Sequence, residues 1–262
     1  MKRFFYILSV LVILSIQSFS SEKKIEVGID EKLGNYLPLN AKFNDENGNE
    51  FILRDLINKP TVLAFVYYNC PGICSPLLME IADVVNKSDL IIGVDYNIIN
   101  ISMDEFESPE LAFSKKNDFI QLIDKQIPPE SWRFLTGDSI DIKKVADAAG
   151  FYFKREGKDF LHSGTLIFID KDGKVCRYLF PAYTDSKGFG IAPFDFKMAV
   201  LETSEGRISP TIARVLQFCF SYDPQGKTYV LNLTRIFGAG ILVLVAVFAV
   251  IFLRKPKNVS KK

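Results

Sequence analysis

The sequence predicts an α/β sandwich built on a mostly parallel central sheet. Three observations predict it. The run from Pro60 to Tyr68 is continuously apolar and β-branched, the composition of a strand buried on both faces. Segments of strand and helix pattern then alternate along the chain. Finally, Thr165 to Ile169 and Val175 to Leu179 flank the turn sequence Asp170-Lys171-Asp172-Gly173-Lys174, which predicts an antiparallel hairpin closing the sheet.

The elements follow in order. Lys42 to Phe51 reads as two short strands around Asn47-Gly48, a strong hairpin signal. The buried run from Pro60 delivers the chain to Asn69-Cys70-Pro71-Gly72-Ile73-Cys74. A helix is predicted to begin there, with Leu77, Leu78, Ile81, Val84 and Val85 at helical spacing. Ile91 to Met103 is rich in strand formers, Pro109 to Ile123 is helical, and Trp132 to Thr136 is a short strand. Asp138 to Ala149 is a further helix, with Asp138 as N-cap and Gly150 as the stop. Downstream of the hairpin, Asp195 to Leu201 and Ile208 to Phe220 are predicted helices, and Tyr222 to Lys227 is turn chemistry.

The two ends bear on the compartment. Met1-Lys2-Arg3, an apolar run and Gln17-Ser18-Phe19-Ser20 read as a secretory signal peptide over residues 1–20. Residues 21–35 are polar and charged, and read as a flexible lead-in. Residues 36–205 form the main domain, and 206–232 a helical juxtamembrane extension. Ile236 to Leu253 carries no charge and is long enough to span a bilayer core, which predicts one C-terminal transmembrane helix over 233–253. The tail, 254–262, is basic without an acid, so the positive-inside rule places it in the cytoplasm and the domain outside. The expected location is thus a bacterial inner membrane, single-pass, with the domain in the periplasm. A formal net charge of +1, with bases and acids interspersed, argues against a nucleic-acid partner.

Four cysteines are too few for a disulfide scaffold in an exported chain of this length, so their spacing carries the information. Cys70 and Cys74 form a CxxxC at the exit of a buried strand, where α/β folds present functional groups. Placed together on the first helical turn, both sulfurs lie on one face and chelate readily. Unpaired N–H groups and the positive end of the helix dipole lower thiol pKa values there, and thiolate is the form that binds soft metals and attacks disulfides. A structural disulfide or a buried thiol pair is the plain alternative. Cys176 reads as a small buried hydrophobe; Cys219 lies near the end of a predicted helix, with pairing or exchange with another thiol as the lesser alternative. Asp104, Glu105 and Glu107 read as a solvated acidic loop, with partner docking as the sharper alternative.

The run Phe65-Val66-Tyr67-Tyr68-Asn69-Cys70-Pro71-Gly72-Ile73-Cys74, the later Ile101-Ser102-Met103-Asp104, the Trp132 to Gly137 stretch, and His162-Ser163 before a hairpin together resemble the SCO/SenC family over about residues 35 to 200. The resemblance implies a thioredoxin-like three-layer sandwich with added β-hairpins. It also implies copper, Cu(I) or Cu(II), held by Cys70, Cys74 and His162, the one histidine in the chain. In that architecture the loop entering the strand at Thr165 runs beside the cysteine helix. The implied function is an extracytoplasmic copper chaperone, with as partner a copper-receiving subunit of a respiratory cytochrome c oxidase whose dinuclear copper centre it helps to assemble. Such a protein is not an enzyme in the ordinary sense. The alternative is a membrane-anchored thiol-disulfide oxidoreductase cycling Cys70 and Cys74 and reducing the cysteines of a partner metal site.

The sequence also departs from the family pattern. Gly72 stands where an acid is common, Ser75 where a proline is common, and Leu161 where an aspartate commonly precedes the histidine, with Asp159 the nearest acid. Loss of a carboxylate that orients a ligating imidazole weakens a metal site by about 10- to 100-fold. A C-terminal rather than N-terminal anchor points to a variant subgroup.

Overall fold

The computed structural model describes residues 26–184, 188–209, 220–223 and 228–231, together with 241, 244, 245 and 248. Its strands and helices, in chain order, begin with β1 (Gly28–Ile29), the hairpin β2 (Lys42–Asn44) and β3 (Glu50–Ile52), and the single turn α1 (Leu53–Leu56). They continue with β4 (Thr61–Val66), α2 (Cys74–Lys87), β5 (Asn97–Ser102), α3 (Pro109–Ile120), β6 (Trp132–Leu135) and α4 (Ser139–Ala148). Next come β7 (Phe151–Tyr152), the hairpin β8 (Lys154–Glu156) and β9 (Asp159–Leu161), and the hairpin β10 (Leu166–Ile169) and β11 (Val175–Leu179). The last elements are β12 (Ala182–Thr184), β13 (Gly188–Gly190), α5 (Pro193–Ser204), β14 (Phe220–Asp223) and β15 (Thr228–Leu231).

Five strands form the central sheet in the order β11-β10-β4-β5-β6. β4, β5 and β6 are parallel, and the β10–β11 hairpin adds on antiparallel at β4. Every residue of β4 is buried, as its unbroken apolar run requires. Side chains alternate across the sheet, and the alternation reveals three layers. Phe168, paired with Val62, packs its ring on Phe196 of α5 at 5.7 Å. Phe65, on the opposite pleat from Val62, stacks on Phe151 of β7 at 4.7 Å. Helices α2 and α5 thus share one side with α3, which packs on α2, while β7 and its neighbour α4 cover the other.

Local signals account for most element ends. Asp138 caps α4 by accepting from the N–H groups of Ile140 and Asp141 at 2.8 Å each. Gly150 ends it at φ +62°, and a Cβ there would lie 1.9 Å from the Asp30 carbonyl oxygen, so both the backbone sign and the close approach demand glycine. Residues from Gly28 onward are not a loose lead-in: β1 pairs with β7, Asp30 N–H donates to Gly150 O at 2.9 Å, and Gly34 N–H donates to Val175 O at 2.8 Å. A polar sequence is compatible with this because the strap is held by backbone groups, which composition does not reveal.

The β2–β3 hairpin docks on the free edge of β6, with Asn44 and Thr136 exchanging backbone hydrogen bonds. A buried ion network secures it. Lys116 pairs with Glu46, Arg133 reaches Asp45 at 3.2 Å and Glu46 at 3.0 Å, and Glu46 accepts from Phe134 N–H at 3.1 Å. A second difference lies near the C-terminus. Phe220–Asp223 pairs antiparallel with Thr228–Leu231, so this part of the expected helical extension is a β-ribbon. The β-branched and aromatic residues of Thr-Tyr-Val-Leu suit a strand better than a helix. Among the described residues no helix is long and apolar enough to cross a membrane. The predicted signal peptide lies outside those residues, as do Cys219 and most of the expected span at 233–253.

Candidate metal centre

β4 carries the chain out of the sheet to Tyr67 and Tyr68, and there it turns, with Cys70 N–H donating to Tyr67 O at 3.2 Å. The helix does not start at Cys70. Pro71, Gly72 and Ile73 form an exposed bend, and α2 begins at Cys74, so one sulfur comes from the bend and the other from the helix. The two still converge. Cys70 Sγ accepts from Gly72 N–H at 3.3 Å, a contact made within the bend that leads into the helix. No side chain caps α2, and the N–H of its first residue, Cys74, is among the groups that draw the Cys70 thiol down.

His162 arrives from the far side. The β8–β9 hairpin, turning at Gly157 (φ +65°), projects the chain so that His162 follows Leu161 into the site. Its Nδ1 lies 3.0 Å from Ser163 O. A carbonyl only accepts, so Nδ1 carries the proton and Nε2 presents a lone pair. Nε2 faces Cys74 Sγ at 3.6 Å. The ligand atoms of Cys70, Cys74 and His162 all lie within 4.8 Å of one another, and all three sequence-predicted residues are therefore brought together.

The two thiols are unequal. Cys70 is half-buried, and its thiol is drawn down to about 4, chiefly by a hydrogen bond from the Cys74 thiol and then by the Cys74 and Gly72 N–H groups and the Tyr67 phenol. Cys74 is buried, 2% exposed, and moves far up, because the Cys70 sulfur takes its proton as a hydrogen bond and burial disfavours the charge. One proton thus serves two sulfurs. Both are free thiols.

A model of the SCO1/SenC family matches residues 39–189, more than half of the chain. The chain belongs to the SCO1/SenC family. The SCO1 protein homolog of Bacillus subtilis (strain 168) is 25% identical over 158 residues, spanning 58% of this chain and 75% of its own length. A solved Aquifex aeolicus VF5 structure superposes with a TM-score of 0.58 at 24% identity, covering 67% of this chain and 96% of its own. Yeast Sco1, solved with copper bound, is 23% identical at a TM-score of 0.49, covering 70% of this chain and 93% of its own.

The departures of this SCO1/SenC chain take physical form at the site. A Cβ at Gly72 would sit 3.8 Å from Cys70 Sγ, ordinary contact, so glycine leaves open the space an acidic side chain would fill. Leu161 is exposed, and the imidazole is oriented by a peptide carbonyl instead of a carboxylate. Asp159, the nearest acid in sequence, accepts instead from the Tyr67 hydroxyl at 3.3 Å. The Tyr67 ring meets His162 edge-on at 5.8 Å, and burial raises its phenol pKa.

The acidic loop is not a solvated one. Arg155 of β8 holds Asp104 at 2.6 Å and Glu105 at 2.7 Å, while its guanidinium lies 4.3 Å over the Phe160 ring. Glu107 turns inward and is buried. It accepts from Tyr68 N–H at 2.7 Å, from Asn69 N–H at 2.8 Å and from Ser102 Oγ at 2.6 Å, and burial raises its pKa. Tyr67 and Glu107 are the residues near the site that sequence reading missed as contributors. A weak signal for Glu107 existed, since Ser108-Pro109 caps and starts α3 directly after it. Cys176 is buried in β11, burial lifts its thiol to about 11, and it stays outside the cluster, as a small apolar residue would.

Proposed function

We propose that this chain is an extracytoplasmic copper chaperone, binding one copper ion through Cys70, Cys74 and His162 and assisting assembly of the dinuclear copper site of a respiratory cytochrome c oxidase. The convergence of two sulfurs and one imidazole nitrogen within 4.8 Å carries this reading. Thiolate and imidazole are the donors that suit copper, with thiolate favouring Cu(I). Membership of the SCO1/SenC family, whose relatives include a yeast protein solved with copper, supports the same cargo. The partner is a copper-receiving oxidase subunit, reached by ligand exchange at the half-buried Cys70. The chain is tethered by the apolar segment 233–253, with its domain in the periplasm and its basic tail in the cytoplasm.

A second reading, a thiol-disulfide oxidoreductase, is favoured by the inequality of the two thiols. An accessible low-pKa thiolate followed by a buried protonated thiol suits attack by Cys70 on a disulfide sulfur and resolution by Cys74. In such a cycle the Cys70 thiolate bonds to one substrate sulfur and expels the other as thiolate. Cys74, having lost its proton, then attacks Cys70 Sγ, leaving a Cys70–Cys74 disulfide and a reduced dithiol product.

Copper retained by the full-length chain after reduction and dialysis against a competing chelator tests the first reading, with a Cys70→Ser/Cys74→Ser variant alongside. About one copper per chain, lost in the variant, is expected for a soft three-ligand site. Equal and negligible copper in both proteins moves the assignment to the oxidoreductase.

A further inference from the structure

Two loops meet behind the metal centre. One is the turn from Tyr67 to Ile73 that carries Cys70, and the other joins β5 to α3 through Met103 to Ser108. A single carboxylate joins them. The Glu107 contacts at 2.7 and 2.8 Å fall on the peptide N–H groups of Tyr68 and Asn69, the two residues immediately before Cys70. Each residue has only two soft backbone torsions, so pinning successive N–H groups on one rigid acceptor fixes the path of the chain into Cys70.

A carboxylate is suited to this and its amide is not. It offers two acceptor-only oxygens, whereas a glutamine must turn an NH₂ group toward one of the peptide donors. Ser102 Oγ, at 2.6 Å, holds the carboxylate from the sheet side. Arg155 of β8, the cation that meets this loop, is already engaged by Asp104 and Glu105. A carboxylate buried without a cation is costly, and hydrogen bonds offset only part of that cost. The negative charge is also felt at the site, since Glu107 contributes to holding the Cys74 proton in place. A cation gripped by the two sulfurs experiences the same field as attraction.

We propose that Glu107 is a positioning residue of the metal centre: it clamps the turn bearing Cys70 so that this sulfur meets Cys74 and His162 on one ion, and its buried charge favours a cation there. The inference rests on the copper reading given above.

The test is Glu107→Gln in the full-length chain, with Asp45→Asn as a control that disturbs another buried carboxylate, one whose partners are Asn47, Asn49 and Arg133 instead of the Cys70 turn. Cu(I) affinity, measured by chelator competition, is expected to fall by at least about tenfold in Glu107→Gln, the scale set by groups that orient metal ligands. The Tyr68 and Asn69 amide protons should exchange faster while those of β10 and β11 keep their rates. Asp45→Asn should retain affinity. An unchanged Cu(I) affinity in Glu107→Gln, or a loss matched by Asp45→Asn, overturns the proposal. Should the unsubstituted chain hold no copper, the copper reading fails on its own account. The clamp then stands on the Tyr68 and Asn69 amide protons, whose exchange must quicken in Glu107→Gln because their acceptor is lost; unchanged exchange rates overturn it.

Discussion

Cys74 Sγ stands 3.6 Å from His162 Nε2, although 88 residues separate them in sequence. The contact joins the first residue of a helix to the residue that leaves a hairpin on the other side of the site. Because Nδ1 is committed to Ser163 O, the nitrogen facing the sulfur is the one with a free lone pair.

His162→Ala should therefore separate the two readings. Removing one of three ligands is expected to lower copper affinity by at least about 100-fold, as ligand loss exceeds the effect of outer-shell changes. Disulfide exchange through Cys70 should persist within a few-fold. Chelator competition and a glutathione-disulfide exchange assay, run on the same preparation, measure the two quantities, and an unchanged copper affinity removes His162 from the ligand set.

Copper binding should release a proton. Cys70 is already a thiolate at neutral pH, whereas Cys74 keeps its proton, and that proton must leave before the second sulfur can bind a metal. Lower pH opposes this release, so affinity should fall by about tenfold per pH unit between pH 8 and 6. Chelator competition repeated across that range gives the slope, and a flat profile contradicts the assignment of the proton.

The metal-free protein should show a reactive thiol well into acid. Alkylation of Cys70 is expected to be near its plateau at neutral pH and to lose half its rate near pH 4. The linkage has a definite sign: the folded state holds fewer protons on Cys70 than the unfolded chain does between about 4 and the ordinary thiol value of 9.0. Stability from this group therefore grows as pH rises through that window and is lost as pH falls through about 4. Tyr67→Phe, which removes the phenol beside the sulfur and keeps the ring, should raise the alkylation midpoint, by less than the roughly one unit of a full hydrogen bond because the hydroxyl proton is also directed at Asp159.

Glu46→Ala should destabilise the domain without touching the thiols. Lys116 and Glu46 are almost fully enclosed, and removing the carboxylate strands Lys116 and one contact of Arg133. Breaking a buried pair from one side costs about 3–5 kcal/mol. Urea denaturation of the reduced protein measures the loss, and Cys70 alkylation should stay at its original rate.

The parts of this protein that were legible in its sequence are those fixed by neighbours in the chain. The buried run before Cys70, the Asn47-Gly48 hairpin, the Asp138 cap and the Gly150 stop each follow from a local pattern, and each is where the pattern placed it. The meeting of the cysteine pair and the histidine was legible because a family resemblance supplied it. Glu107 was not. As one of three acids in a loop it looks like its neighbours, and only the fold decides that Asp104 and Glu105 meet Arg155 while Glu107 faces peptide N–H groups. The strap at Gly28 to Leu37 was hidden for a related reason, since its partners are backbone groups of β7 and β11 far along the chain.

The depth of the two sulfurs implies a sequence of events for any handover of the ion. Cys74 lies sealed at the root of α2, and Cys70 sits on an exposed bend. An incoming donor from another protein meets the half-buried Cys70 and His162 before it meets Cys74, so exchange begins at the outer ligands and the inner sulfur lets go last. A centre built this way is a one-door compartment: the route by which cargo leaves is also the route by which it was loaded, and whichever protein occupies the doorway excludes every other.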